Sequence, residues 1–351
     1  MTTSYFNNET LLKGESETLY EDQIQQTLKA AVARFDGMTR SSALVHFLFC
    51  GALIGEVISL IVLMTFLIQS SLLALALAIL FFTFFSYLIY RVYEQTSKPE
   101  KLQDMLELIL DSCKTLIHYQ ENVPEHLMRL ANVCCRLSDQ LEGKDYAYYR
   151  PFKRLSFLVP FFEKISLWLH GQDVYRIREV LLQAAIHEHL KMVRYEPTNL
   201  NVHAHLANAY VMLSGIYLPL LKKQSAEPKL YFREQDRLFE EKFRKTAQKA
   251  IEEFKILLDY APHDPWVHMQ LAYSYHDLKM PLEEIKEYET ILQINPNDHE
   301  VLYKLGTLYF QEGMNAKGLR IYEALRHHHY KKAESLISLY GGPLTEASAL
   351  L

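Results

Sequence analysis

Apolar residues concentrate in two long runs near the N-terminus, and each run predicts a membrane-crossing helix. Ala43–Ile68 contains only two ionisable side chains, and Leu72–Tyr90 contains none. As helices these arms would be about 39 and about 29 Å long, against a hydrocarbon core of about 30 Å. The polar Gln69-Ser70-Ser71 step between them predicts a tight turn, and therefore a two-helix transmembrane hairpin over residues 43–90 that contacts membrane lipid.

Basic residues flank this hairpin, whereas the turn carries none. They are Arg34 and Arg40 before it, and Arg91, Lys98 and Lys101 after it. The positive-inside rule therefore predicts that both ends lie in the cytoplasm, with residues 1–42 forming a polar N-terminal cytoplasmic segment. The polar character of this segment and the length of the apolar run argue against a cleaved signal peptide. This architecture suggests a bacterial inner-membrane protein with its C-terminal region in the cytoplasm; an organelle membrane is the alternative.

Three residues of the first arm bear on how it packs in the membrane. Gly51 and Gly55 form a small-xxx-small pair, which permits close approach either of the second arm or of a second copy of the chain. Both alternatives are open from the sequence, and the second predicts a homo-oligomer. Glu56 lies near the middle of the arm, where a carboxylate is costly, so we expect it to be protonated or hydrogen-bonded.

Beyond residue 101 the apolar pattern is helical, and near the C-terminus it recurs at a spacing of about 34 residues, which we call the repeat period. The pairs that are one repeat period apart are Leu271 and Leu305, Tyr275 and Tyr309, Tyr288 and Tyr322, Ala272 and Gly306, and Pro262 and Pro296. These residues resemble the tetratricopeptide repeat (TPR) family in identity and spacing, although Glu284 stands where the family has alanine. The resemblance implies an all-α fold, with a TPR-like α-solenoid over residues 101–332 and a C-terminal tail over residues 333–351.

Two stretches interrupt the repeats and predict long helical insertions. Tyr210 and Ala250 are separated by about 40 residues where the family has about 9, which leaves an insertion of about 31. We interpret it as two helix extensions that meet at a tip. A second insertion, Gly143–Gly171, combines aromatic and basic residues, which suit either a membrane surface or a structural brace.

The TPR resemblance also implies which residues face the concave groove. The predicted partner-binding residues are Asn201, Asn208, Trp266, Met269, Tyr273, His276, Tyr303 and Phe310. Such an aromatic and weakly charged surface suits an apolar or amphipathic peptide. The alternative is that these residues pack against an insertion or against the tail after Ala333.

Composition and motifs narrow the function further. With 37 Lys+Arg and 42 Asp+Glu, the formal net charge is −5, which gives no electrostatic reason to expect nucleic acid as a partner. The four cysteines form no CxxC, and the histidine pairs two residues apart are poorly spaced for chelation, so we expect no metal and no cofactor. HExxH, P-loop, GxGxxG and GxSxG motifs are absent, so the chain is predicted not to be an enzyme.

Together these patterns predict a membrane-anchored TPR scaffold or adaptor that binds a protein or peptide partner on the cytoplasmic side. The alternative prediction is a structural subunit of a membrane complex that is assembled through the hairpin.

Overall fold

In the computed structural model, the described backbone covers residues 3–67, 72–121, 123–144, 159–224 and 233–340, with side chains described for 22–62, 72–121, 123–144, 173–218 and 237–340. The chain divides into two compact units, Met1–Glu188 (unit 1) and His189–Leu351 (unit 2). Over the described backbone the regular elements are helices and no strand occurs, which confirms the predicted all-α class.

Unit 1 begins with two very long helices, α1 (Thr3–Leu67) and α2 (Leu72–Ile117). Both are long and apolar enough to cross a membrane, and only 6% and 0% of their most apolar windows are buried within the protein. Large apolar side chains therefore face outward, as at Leu48 and Phe82, which are 73% and 74% exposed. The predicted turn lies outside the described residues.

The core of unit 1 is built by α1 and α2 with α3 (Pro124–Gln140) and the middle of α4 (Val159–Tyr195). The residues that α1 contributes are Ile24, Leu28, Ala31 and Phe35. Because they follow one another at spacings of four, three and four residues, they lie on one side of the helix. They pack with buried residues of the other three helices, including Leu102, Leu106, Leu130, Leu137 and Leu181. The polar N-terminal segment therefore also supplies part of a hydrophobic core.

A buried polar network ties α1, α2 and α4 together beside the apolar arms. Glu94 accepts a hydrogen bond from Ser42, and its Oε2 lies 2.9 Å from His46 Nε2. Lys98 Nζ lies 3.5 Å from Glu94 and 3.1 Å from Asp173. Burial alone would raise the pKa of Glu94, but these hydrogen bonds and the Lys98 charge outweigh it and lower the pKa to about 2.

Within the apolar arms, Glu56 and the two glycines have different environments. Thr83 Oγ1 donates a hydrogen bond of 2.8 Å to Glu56 Oε1, so one oxygen of this carboxyl is satisfied by the second arm. Gly51 and Gly55 are exposed, and a Cβ atom added at either would meet nothing within 4 Å. The glycine face is therefore not packed against described residues of the second arm.

After the end of α4, the described residues of unit 2 form three helix pairs and a short helix that follows them. They are α5 (Leu200–Gln224) with α6 (Arg233–Tyr260), α7 (Pro265–Asp277) with α8 (Pro281–Ile294), α9 (His299–Gln311) with α10 (Asn315–His327), and then α11 (Ala333–Ile337). We call the three pairs the first, second and third repeats. Helices α7 and α9 start one repeat period apart, as do α8 and α10, so the period read from the sequence is a period of helices.

The first repeat differs from the others in length. Helices α5 and α6 have 25 and 28 residues, whereas α7, α9 and α10 have 13 each. The two helix extensions predicted from the insertion are therefore present, and their tip lies outside the described residues.

Local chemistry sets the ends of the helices in the second and third repeats. The Asp264 and Asp298 side chains cap α7 and α9 by accepting backbone N–H bonds of 2.9–3.1 Å. After α7 and α9 the chain turns back at Lys279 (φ 57°) and Gly313 (φ 72°). Both residues have a left-handed backbone conformation, and they are one repeat period apart. At both turns the next residue donates its N–H to a carbonyl five residues back, which closes the helix end.

Small residues allow the paired helices to approach each other closely. A Cβ atom at Gly306 would lie 2.9 Å from Ile321 Cγ2 of α10 and 2.8 Å from Leu336 of α11. The equivalent Ala272 of the second repeat is fully buried beside Ile285 and Tyr288. This packing is the physical reason that the repeat pattern needs a small side chain at this place.

Candidate partner-binding face

We use "groove face" for the surface of α5, α7 and α9 that carries the predicted partner-binding residues. Five of the eight are exposed: Asn201, Asn208, Trp266, Tyr273 and His276. Met269 and Tyr303 are half-buried, and Phe310 is buried. The structure therefore divides the predicted set into side chains that a partner could reach and side chains that pack within unit 2.

Tyr273 is the centre of the exposed part of the groove face. It is 43% exposed, and its hydroxyl lies 2.9 Å from Lys304 Nζ, which projects from α9. The ammonium also lies 4.9 Å from the centroid of the Tyr273 ring, within cation–π distance. Lys304 Nζ is in addition 3.3 Å from Glu300, one helical turn earlier.

This arrangement keeps Lys304 charged. Burial lowers its pKa, but the hydrogen bond to Tyr273 and the Glu300 carboxylate outweigh burial and raise the pKa above its ordinary value. The groove face therefore presents an aromatic ring bordered by a fixed positive charge and a neighbouring carboxylate.

A small cavity opens beside Tyr273, between the first and second repeats, with a volume of about 80 Å³. That volume is several times the minimum needed to hold one water molecule. Its lining residues are Val211 and Ser214 of α5, Ala247 and Ala250 of α6, and Gln270, Tyr273, Ser274 and Asp277 of α7. The small side chains on α5 and α6 create the space, and the α7 residues give it a polar edge.

Trp266 and Met269 extend the aromatic and apolar character of α7 toward its N-terminus. The Trp266 ring is 43% exposed and meets the Phe254 ring edge-on, with centroids 6.1 Å apart. Met269 packs against the core shared by α7, α8 and α9. Trp266 is therefore held on one side and open on the other, as expected of an interface anchor.

His276 has a structural partner as well as solvent exposure. Its Nδ1 lies 3.1 Å from Oε2 of Glu284, a buried carboxylate on α8. Burial raises the pKa of Glu284, and the proximity of His276 partly opposes that rise. The carboxylate that replaces the alanine of the TPR pattern is thus accommodated by a histidine of the same repeat.

The C-terminal segment covers the groove-face residues of α9. Tyr303 has its hydroxyl 3.2 Å from Ser335 Oγ and its ring 6.3 Å from the Tyr330 ring. Phe310 is 6% exposed, its ring lies 5.9 Å from that of Tyr340, and it packs with the core of α10 and α11. The structure thus places Phe310 inside unit 2, in line with the alternative that the tail after Ala333 fills this part of the groove.

Metal and thiol chemistry add no further site among the described side chains. No group of three or more His, Cys, Asp or Glu residues in that part of the chain is placed to hold a metal ion. Burial raises the pKa of Cys113 to about 11 and that of Cys135 to about 12, and it also raises the pKa of Cys134. Such thiols are poor nucleophiles, as expected of cysteines that serve only to fill a core.

Lys304 matches a position at which some TPR proteins bind a carboxylate, but it was not among the predicted partner-binding residues, and its contact with Tyr273 was not predicted from the sequence. Its long side chain extends over the preceding repeat and so reaches Tyr273. A usable signal is the sequence separation of Tyr273 and Lys304, which is close to one repeat period and brings a cation beside an aromatic ring.

No family model matches this chain, and no curated protein matches it. Among solved structures, it is similar to an IFIT1 monomeric mutant with Gppp-AAAA (16% identity, TM-score 0.32, covering 67% of this chain and 58% of that one). It is also similar to a human IFIT1 dimer with m7Gppp-AAAA (17%, 0.30, 66% and 55%) and to the P58(IPK) TPR domain (12%, 0.22, 90% and 96%).

The chain thus spans little more than half of the IFIT1 structures that it matches. At these identities and scores, nothing about ligand or partner transfers to this chain. The TPR-like helical repeat architecture rests on the regular spacing of its own helices.

Proposed function

We propose that this chain is a membrane-anchored TPR-like scaffold that binds a protein or peptide partner through the groove face. The observation that carries the proposal is the open side of α7, where Tyr273 and Trp266 are each 43% exposed and a cavity opens beside Tyr273. Solvent-exposed Trp and Tyr side chains that are supported from behind are the usual anchors of protein interfaces. The net charge of −5 favours a protein over nucleic acid as the partner.

The proposed membrane anchor is supported by the apolar arms. Their side chains have no protein cover over most of their length, as the 0% buried window of α2 illustrates. A soluble protein seldom exposes so large a contiguous apolar surface. The hydrogen bond from Thr83 to Glu56 gives a carboxyl in this region a partner on the opposite arm, as burial in lipid requires.

The proposed location is a bacterial inner membrane, with the repeats in the cytoplasm. Protease digestion tests this orientation, because unit 2 should be protected in intact spheroplasts and cleaved in inverted membrane vesicles. Cleavage in spheroplasts with protection in inverted vesicles would reverse the orientation.

Site-specific photo-crosslinking tests the groove face. A photoreactive phenylalanine analogue would replace Tyr273 in the full-length protein in its native membrane, and the matched control would replace Tyr260. Tyr260 is 59% exposed and lies at the end of α6, outside the groove face. We expect a discrete adduct from position 273, which Trp266→Ala weakens; equal adducts from both positions would contradict the groove assignment.

The second candidate function, assembly of a membrane complex through the hairpin, is favoured by the open glycine face. A Cβ at Gly51 or Gly55 meets nothing within 4 Å, so a second helix could approach there. Gly55→Leu should then reduce the oligomer size measured in detergent. Val57→Leu, at an exposed residue on the opposite side of the same arm, is the matched control, and an unchanged size for Gly55→Leu would argue against this function.

A further inference from the structure

Two buried histidines occupy equivalent places in the first and second repeats. His203 and His268 each follow a turn proline by six residues, after Pro197 and Pro262 respectively. They are only 4% and 6% exposed. Each belongs to the first helix of its repeat, close to the N-terminal end.

The two histidines make the same pair of contacts. His203 Nδ1 lies 2.7 Å from Glu253 Oε2 of α6, and its Nε2 lies 2.9 Å from the Pro197 carbonyl oxygen. The second repeat reproduces this geometry at different residues. His268 Nδ1 lies 2.6 Å from Glu287 Oε2 of α8, and its Nε2 lies 3.1 Å from the Pro262 carbonyl oxygen.

These contacts specify a protonation state. A backbone carbonyl can only accept a hydrogen bond, and so can an ionised carboxylate, so both ring nitrogens must donate. Only the doubly protonated imidazolium carries a proton on each nitrogen. A neutral ring would turn one nitrogen lone pair toward an oxygen lone pair at hydrogen-bond distance.

In the third repeat, the positions equivalent to the histidine and the glutamate carry apolar residues. Leu302 lies one repeat period after His268, and Ile321 lies one repeat period after Glu287. Leu302 is buried in the core of α9, α10 and α11, and Ile321 packs against the same cluster. An apolar pair therefore fills the position that a histidine and a glutamate occupy in the first and second repeats.

We propose that the pair His203–Glu253, which we call clasp 1, is a proton-dependent clasp that holds the start of α5 to α6 and loosens when the imidazolium loses a proton. The pair His268–Glu287, which we call clasp 2, has the same geometry in the second repeat. The third repeat has Leu302 and Ile321 at this place and therefore no such dependence.

Further carboxylates and a tyrosine lie close to each His–Glu pair. Glu252 and Glu253 lie near Tyr210, and Glu283 and Glu287 lie near Tyr275; burial and these carboxylates raise the pKa of both tyrosines. For His203 itself, burial lowers the pKa, but the Glu253 hydrogen bond and the Pro197 carbonyl outweigh burial and raise it above 6.5.

The sign of the effect follows from that direction. Because the pKa of His203 is higher in the folded protein than in the unfolded chain, its stabilisation is fully present below about pH 6.5. It is lost as the pH rises through the folded-state pKa. Each unit of pKa elevation corresponds to about a tenfold change in the local opening equilibrium.

Hydrogen–deuterium exchange of the full-length protein in detergent tests clasp 1. Peptides covering residues 197–204 and 296–303 would be compared at pH 6.0 and 8.5, after correction for the intrinsic pH dependence of exchange. We expect opening to increase with pH in the first peptide and to stay constant in the second. Constant opening in both peptides, or an equal increase in the second, would overturn the proposal.

The double variant His203→Leu with Glu253→Ile copies the apolar pair of the third repeat into the first. We expect it to abolish the pH response of residues 197–204, whereas the matched control His268→Leu with Glu287→Ile should leave that response unchanged. A pH response that persists at residues 197–204 without His203 would show that clasp 1 is not its source. If the first double variant does not fold, the comparison of the two wild-type peptides decides the question alone.

Discussion

Acidification should destabilise unit 2 through one histidine that is buried without a charge partner. His189 is 1% exposed, its Nδ1 has no hydrogen-bond partner among the described residues, and its ring stacks on His205 at 5.9 Å. Burial, and secondarily the charge of His205, lower the pKa of His189 to about 4. His189 therefore stays neutral in the folded protein down to about pH 4, whereas in the unfolded chain it binds a proton from about pH 6.5 downward.

The size of this effect follows from linkage. Between about pH 6.5 and 4 the unfolded state binds more protons than the folded state, so the free energy of unfolding falls as the pH falls. A pKa lowered from 6.5 to about 4 corresponds to about 3 kcal/mol over this window. The His189→Leu variant lacks this titrating group. Between about pH 6.5 and 4, the free energy of unfolding of the variant should therefore fall by about 3 kcal/mol less than that of the wild type.

Urea unfolding followed by tryptophan fluorescence measures this difference. The chain has two tryptophans, so a Trp168→Phe background leaves Trp266 as the reporter of unit 2. Full-length protein in a mild detergent would be unfolded at several pH values from 7.5 to 4. His263→Leu is the matched control, since His263 is an exposed histidine of the same unit. If wild type and His189→Leu lose stability in parallel, the assignment of His189 as a buried neutral ring is wrong.

Three further predictions concern packing, backbone and charge. Gly318→Ala should lower the free energy of unfolding by about 1 kcal/mol in the urea assay, because its Cβ would lie 2.6 Å from the Phe310 ring and overpacking outweighs the gain in helix propensity. Gly215→Ala, whose Cβ meets nothing within 4 Å, is its control and should raise that free energy by about 0.5–1 kcal/mol. Lys279→Gly should raise the thermal midpoint, because φ is 57° at this residue; a lower midpoint would contradict the strain argument. Glu94→Gln should lose less stability than the wild type as the pH falls below about 4.5, because the pKa of Glu94 is lowered to about 2 and its stabilisation disappears as the pH falls through that range. Calorimetry of both proteins measures the thermal midpoint against pH, and an equal decrease in the two proteins would contradict this prediction.

The repeat helices could be predicted because their spacing is a local property of the sequence. Leu271 and Leu305 mark equivalent turns of α7 and α9, and these helices begin one repeat period apart, as the pattern requires. The interruption between Tyr210 and Ala250 likewise predicted two lengthened helices. In each case the periodic apolar face determines the element, and no distant contact is needed to recognise it.

The parts that could not be predicted depend on contacts between distant segments. Phe310 occupies a groove position in the TPR pattern, but Tyr340 and the core of α10 and α11 bury it, and the repeat pattern does not extend to α11 and Tyr340. Ile24, Leu28 and Phe35 form a helical stripe, yet only the packing of α2, α3 and α4 shows what covers it. The domain boundaries read from the sequence and the reach of a partner to Tyr273 stay predictions.

The continuity of α1 has a mechanical consequence. Phe35 lies in the four-helix core of unit 1, and Ala43, eight positions later and about 12 Å along the helix, begins the apolar arm. With the arm in a bilayer, no flexible linker would separate the lipid from this core, and a tilt of the arm would turn the core with it. A flexible linker makes local concentration depend on its length, whereas here the stiffness of α1 would set how far the core stands from the headgroups.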